Sequence, residues 1–305
     1  MRAGELREVR EALLAWYAVE ARDFPWRRTR DPYAVLVSEV MLQQTQASRV
    51  AERFPAFVAR FPTPGALAAA SEAEVLAAWN GLGYNRRALA LRRAAIAVRA
   101  SGWPWDVAGL AKLPGVGPYT ARAVASLAFG QPVGVVDTNV RRWLVRRFGV
   151  APHDTAALQR LADALALAGP DGPTTGDSEV AAWTHATMEL GAVCTARRPL
   201  CQACPIRVGC PGRSRDTAVT VPRQAAFGGS RRAARGLLVR LLAGSRRRAL
   251  REASVRRRLT EAGLRMDRDG WRQLLAGLER DGLVHRVGGE LRLGGGASPA
   301  DTIAG

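Results

Sequence analysis

All four cysteines of this 305-residue chain fall within 17 residues, spaced Cys194-x6-Cys201-x2-Cys204-x5-Cys210. Nothing else in the sequence constrains the fold as tightly. Disulfides are rare in a reducing compartment, and clustering of this kind points to a metal instead. Four thiolates with no histidine among them fit either a [4Fe–4S] cluster or an all-cysteine zinc site. Zinc ribbons usually use two Cys-x2-Cys pairs, and only Cys201/Cys204 forms one here. The uneven spacing therefore favours iron–sulfur. His153, His185 and His285 are scattered, so a His-rich site is not expected.

The formal net charge is +18, which predicts a polyanionic partner, nucleic acid before membrane surface. Of the 45 basic residues only Lys112 is a lysine, so chemistry that needs an amine has one side chain to draw on. No apolar run approaches the ~20 residues of a membrane span. The N-terminal stretch is charged and lacks the apolar segment of a signal peptide. The chain is expected to be a soluble, cytoplasmic, nucleoid-associated monomer.

Residues 1–210 read mostly as helix. Leu6, Val9, Leu13 and Tyr17 recur at helical spacing, and Asp31-Pro32 is an N-cap followed by proline at the first helical position. Helices are expected around 66–79, 86–100, 119–129, 138–148, 155–167 and 179–191, with Thr45 capping the helix after Leu42. Prolines and glycines punctuate them, as at Pro62–Pro64, Gly81/Gly83 and Pro170–Pro173. Composition shifts after Cys210. The stretch around 213–230 reads as a linker, and residues 231–293 as three helices followed by a hairpin turning at Gly288-Gly289, the outline of a winged helix. Residues 294–305 are expected to be disordered. Residues 211–305 hold 20 Arg against 9 acidic residues, so the last third is the more basic part.

Residues 113–117, Leu-Pro-Gly-Val-Gly, resemble a DNA-binding helix–hairpin–helix, placed at about 110–130. Glycines at Gly115 and Gly117, either side of Val116, let the backbone turn tightly and approach a phosphate, and the next helix's N-terminus points its amides at the anion. Twenty residues on stands Asp137, ahead of Asn139. A reaction that expels a base from a sugar needs a proton donor and an anion facing an oxocarbenium-like centre. Glu39 lies in a nearly all-apolar stretch, where desolvation would raise its pKa and suit an acid. A solvated helix face is the competing reading, since Gln43 and Gln46 fall on its side. Asp137 reads equally as a plain N-cap, and the two roles are compatible.

The segment Ser38-Glu39-Val40-Met41-Leu42-Gln43-Gln44-Thr45-Gln46 resembles the signature of the MutY family of adenine DNA glycosylases, within the endonuclease III superfamily. Trp79–Tyr84, Pro25-Trp26-Arg27 and the cysteine spacing are similar to other stretches of that family, over about residues 5–212. The resemblance implies a mainly α, two-lobed helix–hairpin–helix glycosylase core over 1–212 with a [4Fe–4S] loop at 194–210. The winged-helix-like domain is appended to it. It implies excision of adenine mispaired with 8-oxoguanine or guanine in double-stranded DNA. Glu39 would protonate the base and then activate water, while Asp137 stabilises the sugar cation with help from Asn139 and Tyr119. Gln43, Gln44 and Tyr84 would contact DNA, the last two wedging into the duplex; Gly115, Val116 and Gly117 would contact the backbone. Trp26 and Arg27 would border the adenine pocket. Bifunctional relatives carry a Schiff-base lysine where this chain has Tyr119, so a monofunctional enzyme is expected. The stretch before Cys194 is one residue shorter than in the family, Asn85 replaces an aromatic, and the C-terminus lacks the Nudix-like pattern that reads 8-oxoguanine. Two alternatives stand: a thymine–guanine mismatch glycosylase of the same fold, and a non-catalytic iron–sulfur DNA-binding regulator.

Overall fold

The computed structural model describes residues 3–168, 177–213 and 228–295. Most of the expected linker, the expected disordered tail beyond 295 and the Pro170–Pro173 break lie outside them. The helices in chain order are α1 (Ala3–Glu20), α2 (Pro32–Leu42), α3 (Ala47–Arg60), α4 (Pro64–Ala69), α5 (Glu72–Ala78), α6 (Arg86–Ser101) and α7 (Val107–Leu110). Then follow α8 (Pro118–Phe129), α9 (Thr138–Phe148), α10 (Thr155–Leu167) and α11 (Asp177–Val193). After the cysteine loop come α12 (Arg231–Ala243), β1 (Ala249–Arg251), α13 (Glu252–Glu261), α14 (Arg268–Arg280), β2 (Val284–Val287) and β3 (Glu290–Leu293).

Short polar residues set many of these boundaries by accepting the first unpaired amides of a helix. Thr63, Asp106, Asp137, Asp154, Ser230 and Asp267 do so for α4, α7, α9, α10, α12 and α14. Asp31 accepts from Ala34 N at 3.0 Å, with Pro32 at the first position of α2. One expected helix, 66–79, is two. Ser71 and Glu74 form a capping box that ends α4 and restarts the chain as α5. Thr45 is not a cap: Gln46 occupies that position without a side-chain bond, and the Thr45 hydroxyl faces the carbonyls of Gln43 and Leu82.

The chain forms two compact units, each built from two stretches. One comprises residues 1–39 and 103–222, the other 40–102 and 223–305, and the division falls inside α2. The change of composition near residue 212 falls inside the first unit. In the first unit α1, α9, α10 and α11 bury Leu13, Trp143, Leu144, Leu165 and Leu190, and the same core takes in Cys194 and Ile206. The cysteine loop is therefore rooted in the helices that carry Asp137. In the second unit the helix and strand order from α12 to β3, with sheet order β1-β3-β2 and both pairings antiparallel, is that of a winged helix. Gly288 and Gly289 both take positive φ, as a two-residue hairpin turn demands. The sheet has a third strand beyond the expected hairpin, β1, pairing Leu250 with Leu291. This part packs on α5: the Gly295 amide donates to Glu72 at 2.8 Å, and α12 and β3 both touch that helix.

Candidate active site

Helix α2 is buried on every side from Tyr33 to Met41. Glu39 lies in it with 3% of its surface exposed, so the solvated-face reading fails. Burial is the main reason its carboxyl is pushed up to about 7, and the negative charge of Asp137 adds to the effect. A hydrogen bond from the Tyr119 hydroxyl works the other way. The phenol, buried and facing both carboxylates, is held well above its usual range. Glu39, Tyr119 and Asp137 thus meet as one electrostatically coupled group.

Asp137 is the N-cap of α9. One carboxylate oxygen accepts from the backbone amides of Asn139 at 2.8 Å and Val140 at 2.6 Å. The other accepts from the Asn139 side-chain amide at 2.8 Å. Three donors and a helix N-terminus stabilise its negative charge. Asn139 is engaged at both ends, since its side-chain oxygen accepts from Arg142 at 2.7 Å. Both ends of its side chain are thus held, one on Asp137 and the other on Arg142. Arg142 also donates to the carbonyls of Cys194 at 2.5 Å and Gly191 at 3.2 Å. Gly191 sits against Asn139 so closely that a Cβ there would stand 2.5 Å from the Asn139 Cβ.

In the helix–hairpin–helix, Gly115 turns at φ 78° and both glycines are exposed. The Val116 side chain is buried and its amide donates to Leu113 at 3.0 Å. Val116 anchors the turn, while Gly115, Gly117 and Pro118 at the start of α8 are exposed. Trp26 is buried and stacks on Phe24 with ring centroids 4.7 Å apart. Arg27 donates to Glu189 at 2.5 Å and to the Arg22 carbonyl at 2.8 Å. Arg22 binds the same carboxylate. Glu189, buried between two guanidiniums, is a candidate that sequence reasoning missed. Nothing distinguishes it in the sequence from any polar residue of α11, and only its folded neighbours do. His185 stands in the same helix, and burial beside Arg27 holds its pKa down at about 3. In the second unit Gln44 is exposed and Tyr84 is 44% exposed.

The four cysteines line one cavity, together with Arg146, Arg147, Ile206 and Arg207. Cys194 closes α11, Cys201 opens a short 3-10 turn and Cys210 follows Gly209 at positive φ. Burial and the other three sulfurs push the Cys204 thiol up, a cost that coordination as thiolate removes. Arg146 donates to Cys194 Sγ at 3.3 Å and to the carbonyls of Thr195 and Ala196, fixing the loop on α9. Among the described residues no three such side chains converge on a single ion. Four cysteines lining one cavity supply the thiolate donor set that an iron–sulfur cluster takes. Arg197, Arg198 and Arg207 are exposed on the loop.

Residues 37–166 match the family described as HhH-GPD superfamily base excision DNA repair protein, the class that this fold and site define. The adenine DNA glycosylase of Mycolicibacterium smegmatis is 46% identical over 241 residues, covering 76% of this chain and 80% of that one. The enzyme of the same description from Mycobacterium tuberculosis is 49% identical over 201 residues, 64% of each chain. A solved thermostable thymine-DNA glycosylase aligns with a TM-score of 0.61 at 29% identity, over 68% of this chain and 97% of that one. This chain belongs to the adenine DNA glycosylase family within the superfamily.

Proposed function

We propose that this protein is a monofunctional DNA N-glycosylase of base excision repair, removing adenine mispaired with 8-oxoguanine or guanine from double-stranded DNA. The observation that carries the reading is a buried carboxyl at about 7, Glu39, coupled to Tyr119 and to the charge of Asp137. A carboxyl titrating there is protonated in part at neutral pH and can serve as acid and then base.

Glu39 donates its proton to N7 of a flipped adenine, which makes the base a neutral leaving group as the glycosidic bond breaks. The Asp137 carboxylate faces the cation left on the sugar and stabilises it. Glu39, now ionised, takes a proton from water as the water adds to the sugar. Tyr119 donates to the Glu39 carboxylate and sets its orientation. It has no amine, so no Schiff base forms there and an abasic site is the product. Trp26, Arg27 and Glu189 wall the base pocket in this reading. Gln44 and Tyr84 wedge into the duplex and offset the cost of unstacking. Cys194, Cys201, Cys204 and Cys210 would hold a [4Fe–4S] cluster, whose part is to shape the basic loop around them.

The thymine-DNA glycosylase likeness supports a second reading on the same fold, excision of thymine opposite guanine. The Gln43-Gln44-Thr45 stretch and the two mycobacterial relatives favour adenine. A non-catalytic regulator has no use for a buried Glu39 paired with Asp137. One assay decides among them. End-labelled duplexes carry A opposite 8-oxoguanine, A opposite G, or T opposite G, and are treated with alkali after incubation. Strand breaks confined to the adenine strand, and absent without alkali, are expected. Breaks only in the T·G duplex overturn the adenine reading, and no breaks in any duplex overturn catalysis.

A further inference from the structure

Among the described residues only Gln44, Tyr84 and Arg248 have positive φ without being glycine, at 54°, 46° and 50°. Such backbones are strained for an L-residue and persist only where neighbours over-determine them. One guanidinium reaches the segments on which the first two stand. Arg87 Nη1 donates to the carbonyls of Val40 at 2.7 Å, Met41 at 3.1 Å and Gln43. Its Nη2 donates to Thr45 Oγ1 at 3.1 Å, Gly83 O at 3.1 Å and Leu82 O at 3.4 Å. Its Nε reaches Tyr84 O at 3.4 Å. The first group are carbonyls of the last turn of α2 and of its exit. Of the second, Leu82 and Gly83 belong to the turn that Gly81 and Gly83 make before α6, and Thr45 belongs to the exit of α2. The Tyr84 ring also lies over the guanidinium, 5.4 Å from ring centroid to Cζ.

We infer that Arg87 is a positioning residue for base extrusion, locking the exit of α2 and the 82–84 turn together so that Gln44 and Tyr84 are preset in their strained backbones before DNA arrives. The assignment rests on the reading of Gln44 and Tyr84 as wedges. Preorganisation matters here because a wedge that must first find its conformation spends binding energy on its own ordering. A planar fork with five N–H groups can serve two segments at once, whereas an ammonium cannot. Arg87 touches neither the base nor the reacting sugar in this account and acts through its two neighbours.

The test uses the full chain, with Arg87→Lys, Gln44→Ala/Tyr84→Ala and the triple variant. Single-turnover excision from the A·8-oxoguanine duplex is measured beside the fluorescence of a 2-aminopurine flanking the mispair, which reports unstacking. Arg87→Lys is expected to slow excision by about tenfold or more, as small misplacements in an active assembly do. The 2-aminopurine signal should fall with it, while the pH midpoint of excision, set by Glu39, stays put. In the Gln44→Ala/Tyr84→Ala background the same lysine should cost less than about threefold, the non-additivity of residues acting as one unit. Equal loss in both backgrounds, or Arg87→Lys within about twofold of wild type, overturns the inference. If Arg87→Lys melts below the assay temperature, Thr45→Val, which removes one acceptor, decides: a smaller loss that also vanishes in the wedge-less background supports it, and wild-type behaviour overturns it. Wild type failing to release any base defeats the glycosylase reading itself. An active Gln44→Ala/Tyr84→Ala protein with full unstacking defeats the wedge reading and this inference with it.

Discussion

Glu39 ties burial to the proposed catalysis and to stability. Its carboxyl rises from an ordinary 4.5 to about 7 because α2 has no wet face. In the proposed mechanism it works as an acid only while protonated, so single-turnover excision should fall as pH rises through about 7. Glu39→Gln should lower excision by at least about a hundredfold while duplex binding holds, because only proton transfer is removed. Activity within about tenfold of wild type would reject Glu39 as the acid. Stability should move the other way. A carboxyl whose folded value is raised contributes stability below its unfolded value, and that contribution is lost as pH climbs through the folded one. Above pH 7 the wild type carries an ionised, buried Glu39 and the glutamine variant does not. Thermal melts at pH 8 should therefore show Glu39→Gln more stable by on the order of 3 kcal/mol, with the difference fading towards pH 4.5. The sequence left two readings of Glu39 open for a definable reason. Placing Gln43 and Gln46 on its face assumes that the helix continues, but α2 ends at Leu42. A period carried past a helix end assigns faces that do not exist.

At the scale of elements, what was legible was what local chemistry dictates. Capping residues, the Gly-rich hairpin and the Gly288-Gly289 turn stand where their side chains or missing side chains require. The capping box at Ser71 and Glu74 was equally readable, yet apolar periodicity across 66–79 hid the break between α4 and α5. Strand β1 was not legible, because three residues abutting a helix show no alternation and pair only once β3 is in place. Contacts between elements distant in sequence were beyond reach altogether. Gly191 looks like any helical glycine, but its missing Cβ leaves room for Asn139, and Asn139 holds Asp137. Gly191→Ala should thus cost about tenfold or more in excision with the pH midpoint unchanged, since the acid is untouched and its anionic partner is displaced. A variant with full activity would show that α9 and α11 can give way. The cysteine loop, rooted in the same helices, makes a separate prediction. The purified protein should be brown, with a broad band near ~400 nm, and Cys201→Ser should lose it and weaken DNA binding. A colourless, active protein holding one zinc would identify the site as a zinc centre.

Over the whole molecule, the basic residues from Arg223 on fall in the same compact unit as Gln44 and Tyr84. A linear reading places a boundary where composition changes; it has no access to a stretch that returns to an earlier one, as Gly295 does to Glu72. The consequence concerns how the charge is tested. Deleting residues 224–305 would strip the packing surface of α5 along with the arginines, so lost DNA binding could not be assigned to phosphate contacts. A surface substitution separates the two. Helix α13 exposes Arg256, Arg257 and Arg258, while Val255 and Leu259 bury its other side. Replacing the three arginines with glutamine keeps that apolar face and the helix propensity. If the winged helix contacts duplex phosphates through α13, each lost contact should flatten the slope of log K against log salt by about 0.9. The triple variant should then bind A·8-oxoguanine and A·G duplexes less tightly by similar factors, with a slope smaller by up to about 3 and an unchanged melting temperature. A loss confined to the 8-oxoguanine duplex would mean that this domain reads the lesion. An unaltered slope at both duplexes would mean that α13 faces no phosphate and that the charge serves elsewhere on the chain.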